Sequence, residues 1–162
     1  MEENHQANCY HDAFYYRGKF IDHFNILERS IDEYIAEYIK ADKERELDLY
    51  TIVINRLTFQ SKLDCFIAIT KKIAVESGFI KTEKAKWPQS DIYKLIQEAK
   101  DERNKFAHFY LHIPEEPVDY IIALMEFRDG GELHFYSKEK YDDLLVKIAS
   151  ADALVNELIK EL

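Results

Sequence analysis

The sequence of 162 residues is poor in the residues that interrupt regular structure or cross-link a chain. Its four glycines and three prolines are few for this length, which favours long regular elements, mostly helices. Cys9 and Cys65 are too few for a disulfide framework, so we expect two free thiols and a cytoplasmic protein. No apolar run approaches the ~20 residues of a membrane-spanning helix. The N-terminal segment also lacks the basic and apolar regions of a signal peptide.

Composition and charge indicate a soluble globular protein with an acidic surface. Hydrophobic residues make up 47% of the chain and charged residues 33%, and the length predicts a single domain over residues 1–162. The net charge of −9 argues against a general nucleic-acid coat, but it does not exclude a local basic site. The segment Lys81–Lys105 has such a surplus, with six lysines and one arginine against five acidic residues.

Apolar side chains recur at steps of three and four in four parts of the sequence, which predicts four long helices. Residues 1–10 are polar, and we expect a flexible tail there. Gly78 is a suitable residue to end the second helix, and Ser137 to begin the fourth. The predicted helices run from His11 to Ile39, from Leu47 to Ser77, from Ser90 to Ile113, and from Ser137 to about Leu158.

A β-hairpin is predicted between the third and fourth helices, over residues 119–136. Two short segments rich in β-forming residues flank the sequence Arg128-Asp129-Gly130-Gly131, which is typical of a tight turn. The predicted fold class is therefore all-α dominated: a bundle of four to five helices with an appended β-hairpin.

The third helix carries the polar residues that point to chemistry. Arg103 falls on the same helical stripe as Ile92 and Phe106. A buried guanidinium without a partner is very unfavourable, so Arg103 needs an anion, a wet groove, or a carboxylate such as Asp32 or Asp64. Asn104 and His108 are one turn apart on an adjoining face.

The residues Arg103, Asn104 and His108, with Tyr110 two positions later, resemble the motif of the HEPN family (higher eukaryotes and prokaryotes nucleotide-binding). That motif is Arg, four to six residues and His, with a polar residue after the Arg; one subgroup adds the Tyr. The pairs Arg17/His23 and Arg128/His134 have similar spacing but lack the Asn. The resemblance covers the helical part of the chain and leaves the hairpin unexplained.

The resemblance implies a metal-independent endoribonuclease that acts as a homodimer, with no cofactor and no metal. Metal-free cleavage of RNA needs a base for the 2′-hydroxyl proton and an acid for the leaving oxygen. Histidine exchanges protons near neutral pH, so His108 suits either role. Arg103 is expected to hold the phosphate, and Asn104 to orient His108 or donate to the phosphate. Tyr110, Lys105 and Lys100 are the expected substrate-binding residues.

Other interpretations stay open beside the ribonuclease. The chain could be a catalytically inactive module that binds RNA or a nucleotide, or an acidic helical domain for protein interactions. Some family members belong to toxin–antitoxin systems, which makes a cognate antitoxin a possible partner. Tyr110 is expected in the core with its hydroxyl at the edge, and Ala107 with Leu111 forms a second apolar patch suited to a dimer seam. We expect no metal site at His5, Cys9 and His11, because no second pair of ligands follows.

Overall fold

The computed structural model describes residues 2–39, 43–81, 90–113, 119–127 and 131–162, without the side chains of residues 2–9, 43, 44, 46 and 90. These residues form five α-helices and one three-stranded sheet. In chain order the elements are α1 (Glu2–Ile39), α2 (Lys43–Asp48), a π-helical turn (Leu49–Val53), a 3-10 turn (Ile54–Arg56), α3 (Phe59–Glu76), α4 (Ser90–His108), β1 (Tyr110–Leu111), β2 (Ile122–Met125), β3 (Leu133–Tyr136) and α5 (Lys138–Lys160).

The predicted fold class, a helical bundle with an appended hairpin, is confirmed. Helix α1 begins at Glu2, nine residues before the predicted start, and so includes most of the segment for which we expect a flexible tail. None of the described helices is both long enough and apolar enough to cross a membrane.

Local cap signals are confirmed at two helix ends. Gly78 follows α3 with a φ of 75°, the left-handed conformation that a glycine adopts without steric cost. Its backbone N–H donates to Val75. Before α5, the hydroxyl of Ser137 accepts a hydrogen bond of 3.1 Å from the backbone of Lys140.

The prediction of one helix from Leu47 to Ser77 is wrong. The chain leaves the helical conformation at Leu57, whose backbone is extended. Thr58 then begins a new helix, since its hydroxyl accepts from the backbone N–H of Ser61 at 3.2 Å. A threonine whose hydroxyl caps a helix has a non-helical backbone, so the preceding helix cannot continue through it.

The prediction that the third helix runs to Ile113 is also wrong, because α4 ends at His108. The next residues form β1, in which Tyr110 lies opposite Met125 of β2 in antiparallel register. The predicted hairpin of β2 and β3 is present, and β1 makes it a three-stranded sheet in the order β1-β2-β3. A two-stranded hairpin is barely stable alone. The hydrogen bonds between β1 and β2 therefore stabilise the hairpin, and residues predicted to continue the helix form a strand. The turn residues 128–130 lie outside the described part of the chain.

One compact unit comprises Met1–Asn25 and Ile96–Ala149, and its core is aromatic. Phe106 of α4 stacks on Phe20 of α1 with ring centroids 4.2 Å apart. It also contacts Tyr136 of β3, at 4.9 Å, and Tyr141 of α5, at 6.2 Å. All four rings are fully buried. Phe106 therefore fixes the C-terminal half of α4 against both helices and the sheet.

The second unit comprises Ile26–Leu95 and Ser150–Leu162 and contains a buried ion cluster. Lys62 is only 5% exposed, and its ammonium donates to Glu28 and Asp32 at 2.8 Å each. Burial alone would lower the pKa of Lys62, but the hydrogen bonds to the two carboxylates raise it. Burial raises the pKa of Asp32 in spite of the bond from Lys62.

We expect Lys62→Met to destabilise the protein by about 3–5 kcal/mol at pH 7, because it leaves two partly buried carboxylates without their cation. The measurement is urea unfolding followed by circular dichroism. Lys94→Met is the matched control, since Lys94 pairs with Asp91 in an exposed position and its loss should cost less than about 1 kcal/mol. Equal costs for the two variants would contradict a structural role of the ion cluster.

Candidate functional site

The C-terminal half of α4 presents one polar face. Lys100, Asn104 and His108 are successive members of an i, i+4 series, so they lie on one face of the helix, and Arg103 borders it. Lys100, Arg103 and Asn104 are half-buried, whereas His108 is exposed. At ~100° per residue, Asn104 lies about 100° and His108 about 140° around the helix from Arg103, and all three belong to a single compact unit.

Arg103 is held without a carboxylate partner among the described residues. Its guanidinium lies over the ring of Phe24, 5.8 Å from the centroid, and one terminal nitrogen donates to Oδ1 of Asn104 at 3.4 Å. Its Nε is buried and has no hydrogen-bond partner within the described part of the chain. Asp32 pairs with Lys62, and Asp64 accepts from Gln60, so the two expected carboxylates are bonded to other side chains. A half-buried cation with an unused donor is suited to bind an anion.

A second arginine, outside the predicted motif, reaches the same end of α4. Arg17 of α1 donates to the backbone carbonyl of Ala107 at 2.8 Å, next to His108. Burial lowers the pKa of Arg17. No carboxylate of the described residues pairs with this guanidinium, which keeps further donors for a ligand. A sequence signal existed, since Arg17 lies three residues before Phe20 on the buried stripe of α1, as Arg103 lies three before Phe106.

Tyr110 is not a core residue, so this prediction is wrong. It belongs to β1 and is 58% exposed. Its ring contacts that of Phe127, at 5.0 Å between centroids, and Phe127 is itself 76% exposed. Phe135 of β3 is also exposed and contacts Tyr120 at 4.9 Å. The registers place Tyr110, Phe127 and Phe135 on one face of the sheet, which we term the aromatic face.

Lys105, a predicted substrate-binding residue, is engaged within the fold. Its ammonium donates to Glu102 at 2.8 Å, and the other oxygen of Glu102 accepts from the hydroxyl of Tyr136 at 2.7 Å. Burial alone would raise the pKa of Glu102, but the bonds from Lys105 and Tyr136 lower it. Burial and the bond to Glu102 raise the pKa of Tyr136 far above its usual value. This cluster fastens α4 to β3.

The apolar pair proposed as a dimer seam does not lie on one helix. Ala107 is in the last turn of α4, whereas Leu111 is in β1 opposite Leu124. Both side chains are half-buried. The homodimer itself stays a prediction.

Comparisons with models of protein families, with curated proteins and with solved structures find no match to this chain. The resemblance to the HEPN family therefore rests on the motif residues and the helical pattern of the sequence, and it stays a prediction.

We expect Tyr136→Phe to cost about 1–2 kcal/mol at neutral pH, because it removes a hydrogen bond to an ionised group and keeps the buried ring. The folded-state pKa of Glu102 lies below its ordinary value of 4.5. Its ionised form therefore contributes stability above that value, and the contribution is lost as the pH falls through the folded-state pKa. The difference between wild type and variant should shrink over this acidic range.

Urea unfolding between pH 3 and pH 8 measures this difference. Tyr15→Phe is the control, since Tyr15 is exposed and its variant should match the wild type throughout. A cost for Tyr136→Phe that does not change with pH would contradict the link to Glu102.

Proposed function

We propose that this protein is a HEPN-like endoribonuclease that cleaves single-stranded RNA without a metal ion. The observation that carries the proposal is the pair of guanidiniums at the end of α4. Arg17 and Arg103 both lack a carboxylate partner among the described residues, and one of them is bonded to the residue next to His108. Guanidiniums without a carboxylate partner, one of them bonded next to an exposed histidine, are suited to hold a phosphodiester, and the histidine is suited to move a proton.

The proposed reaction is an internal transfer of the phosphodiester. His108 takes the proton of the ribose 2′-hydroxyl, and the 2′-oxygen attacks the adjacent phosphorus as the bond to the 5′-oxygen breaks. The leaving 5′-oxygen receives a proton, which gives a 2′,3′-cyclic phosphate and a 5′-hydroxyl end. Arg103 and Arg17 stabilise the negative charge that develops on the phosphoryl oxygens. Asn104, whose Oδ1 accepts from Arg103, orients the guanidinium.

A homodimer would complete the acid–base pair. One histidine cannot take a proton and give another in the same step, so a second group must act as the acid, and His108 of the partner subunit would supply it. The exposure of His108 is compatible with approach by a second copy. In the predicted homodimer, His108 of one subunit would act as the base and His108 of the partner subunit as the acid.

The aromatic face supports single-stranded RNA as the substrate class. Tyr110 follows His108 by two residues, and its exposed ring with that of Phe127 offers a surface for unpaired bases. Base–aromatic stacking contributes about 1–3 kcal/mol per base and tolerates any sequence. Such binding also suits a protein with net negative charge, because stacking depends less on a basic surface than phosphate contacts do.

We expect the wild-type protein to cleave a labelled, unstructured RNA in the presence of EDTA and to leave 2′,3′-cyclic phosphate ends. His108→Ala should lower the rate about 10²–10⁴-fold, and Arg103→Ala about 10²–10³-fold, because each removes one catalytic group. The matched controls are His11→Ala and Arg29→Ala, whose side chains are more than four-fifths exposed. Both should cleave like the wild type. Analysis of the RNA ends by gel electrophoresis and phosphatase treatment measures the result.

Cleavage that persists in His108→Ala would contradict the proposal, as would cleavage that only a divalent ion supports. The aromatic face favours a second candidate, a module that binds RNA without cleaving it. That module predicts RNA binding that Tyr110→Ala weakens and His108→Ala does not change, with no cleavage products. An acidic helical adaptor or antitoxin-like partner predicts neither RNA binding nor cleavage.

A further inference from the structure

Three side chains that could ligate a metal lie together on the hairpin, outside the proposed ribonuclease residues. The register of β2 and β3 pairs Leu124 with His134 and Met125 with Leu133, so the next pair is Glu126 with Glu132. A hydrogen bond of 3.0 Å from the backbone N–H of Glu126 to the carbonyl of Glu132 continues the ladder there. Side chains alternate along a strand, so Glu126, Glu132 and His134 share one face.

The three side chains converge to a small volume. One carboxylate oxygen from each glutamate and one ring nitrogen of His134 all lie within 4.8 Å of one another. Ligands of a tetrahedral zinc ion with bonds of about 2.0–2.1 Å are about 3.3 Å apart. Small rotations of the two glutamate side chains would close the remaining distance, since Glu132 is exposed and Glu126 is only half-buried.

This arrangement is unfavourable without a cation. Carboxylates directly opposite each other on neighbouring strands repel. The structure gives neither Glu126 nor Glu132 an ion pair with any residue that it describes. The Nε2 atom of His134 is buried and has no hydrogen-bond partner among the residues that the structure describes, which is costly for a polar atom. A single divalent cation would remove the repulsion and would be ligated by the imidazole through one of its two ring nitrogens.

We propose that Glu126, Glu132 and His134 bind a divalent transition-metal ion, with Zn²⁺ as the best fit. An imidazole with two carboxylates suits zinc, whereas magnesium and calcium prefer ligand sets made of oxygen alone. Three protein ligands leave a fourth position for water, and the exposure of Glu132 leaves that position accessible. The proposal does not depend on ribonuclease activity.

The bound ion would tie the hairpin to the segment that follows α4. The ring of His134 packs against that of Phe109, with centroids 5.4 Å apart. Phe109 lies between His108 and Tyr110, and β1 pairs with the strand that carries Glu126 at its end. Fixing His134 therefore also fixes Phe109, and with it the path of the chain between these two residues.

The test is calorimetric titration of the EDTA-stripped and dialysed full chain with ZnCl₂ at pH 7.5. We expect one ion per chain and a thermal unfolding midpoint that rises with added Zn²⁺. Glu126→Gln and His134→Gln should each weaken binding by at least about 10-fold, since loss of a direct ligand exceeds the effect of an outer partner. The double variant Glu126→Gln/Glu132→Gln should be at least as stable as the stripped wild type and should not respond to Zn²⁺. A variant that is folded and stable but does not respond to Zn²⁺ has lost metal ligands and not its structure.

The competing source of zinc binding is the N-terminal group of His5, Cys9 and His11. His11→Ala is therefore the matched control and should bind Zn²⁺ like the wild type. Titration with Co²⁺ distinguishes the two groups, because a thiolate ligand gives an intense near-ultraviolet absorption that a site of one imidazole and two carboxylates lacks. Binding that is absent, that survives both Glu126→Gln and His134→Gln, or that is lost in His11→Ala overturns the proposal.

Discussion

The candidate site depends on the packing of Phe106, which fixes the point where α4 ends. Its ring is enclosed by aromatic side chains of α1, β3 and α5, so the last turns of the helix cannot shift along the core. Arg17 then binds the carbonyl of Ala107, which a helix end leaves without an internal partner. Since β1 begins at Tyr110, His108 is the last helical residue and stays exposed. The buried Phe106 thus lies two residues before His108, which is the proposed proton-transfer group.

The two arginines of the candidate site have different hydrogen-bond partners from the lysines of the two ion clusters. Lys62 and Lys105 both donate to carboxylates at 2.8 Å, and in each case the ion cluster joins separate elements of the fold. Arg17 and Arg103 donate instead to a backbone carbonyl and to an amide oxygen. In a chain with a net charge of −9, carboxylates are plentiful. Within the described residues, however, no carboxylate pairs with either guanidinium. Their positive charge is therefore available for an anionic ligand.

The small sheet has two chemically different faces because side chains alternate along each strand. One face enters the core through Ile122, Leu124 and Tyr136, and it ends at the turn with the two glutamates and His134. The other is the aromatic face, whose rings are exposed. The proposed metal site lies on the first face, and the proposed surface for unpaired bases is the second. β1 follows α4 after a single residue, so the sheet begins close in sequence to His108.

The sequence by itself determined most of the helical segments, the hairpin between β2 and β3, the caps at Gly78 and Ser137, and the position of Arg103, Asn104 and His108 late in one helix. These features depend on side chains a few positions apart, whose periodicity and cap chemistry act locally. Only the tertiary structure decided that α4 stops at His108, that Tyr110 is exposed, that Arg17 reaches Ala107, and that Glu126, Glu132 and His134 meet. In each case a backbone or side-chain group finds its partner on another element. The free energy of that pairing, and not local preference, selects the conformation.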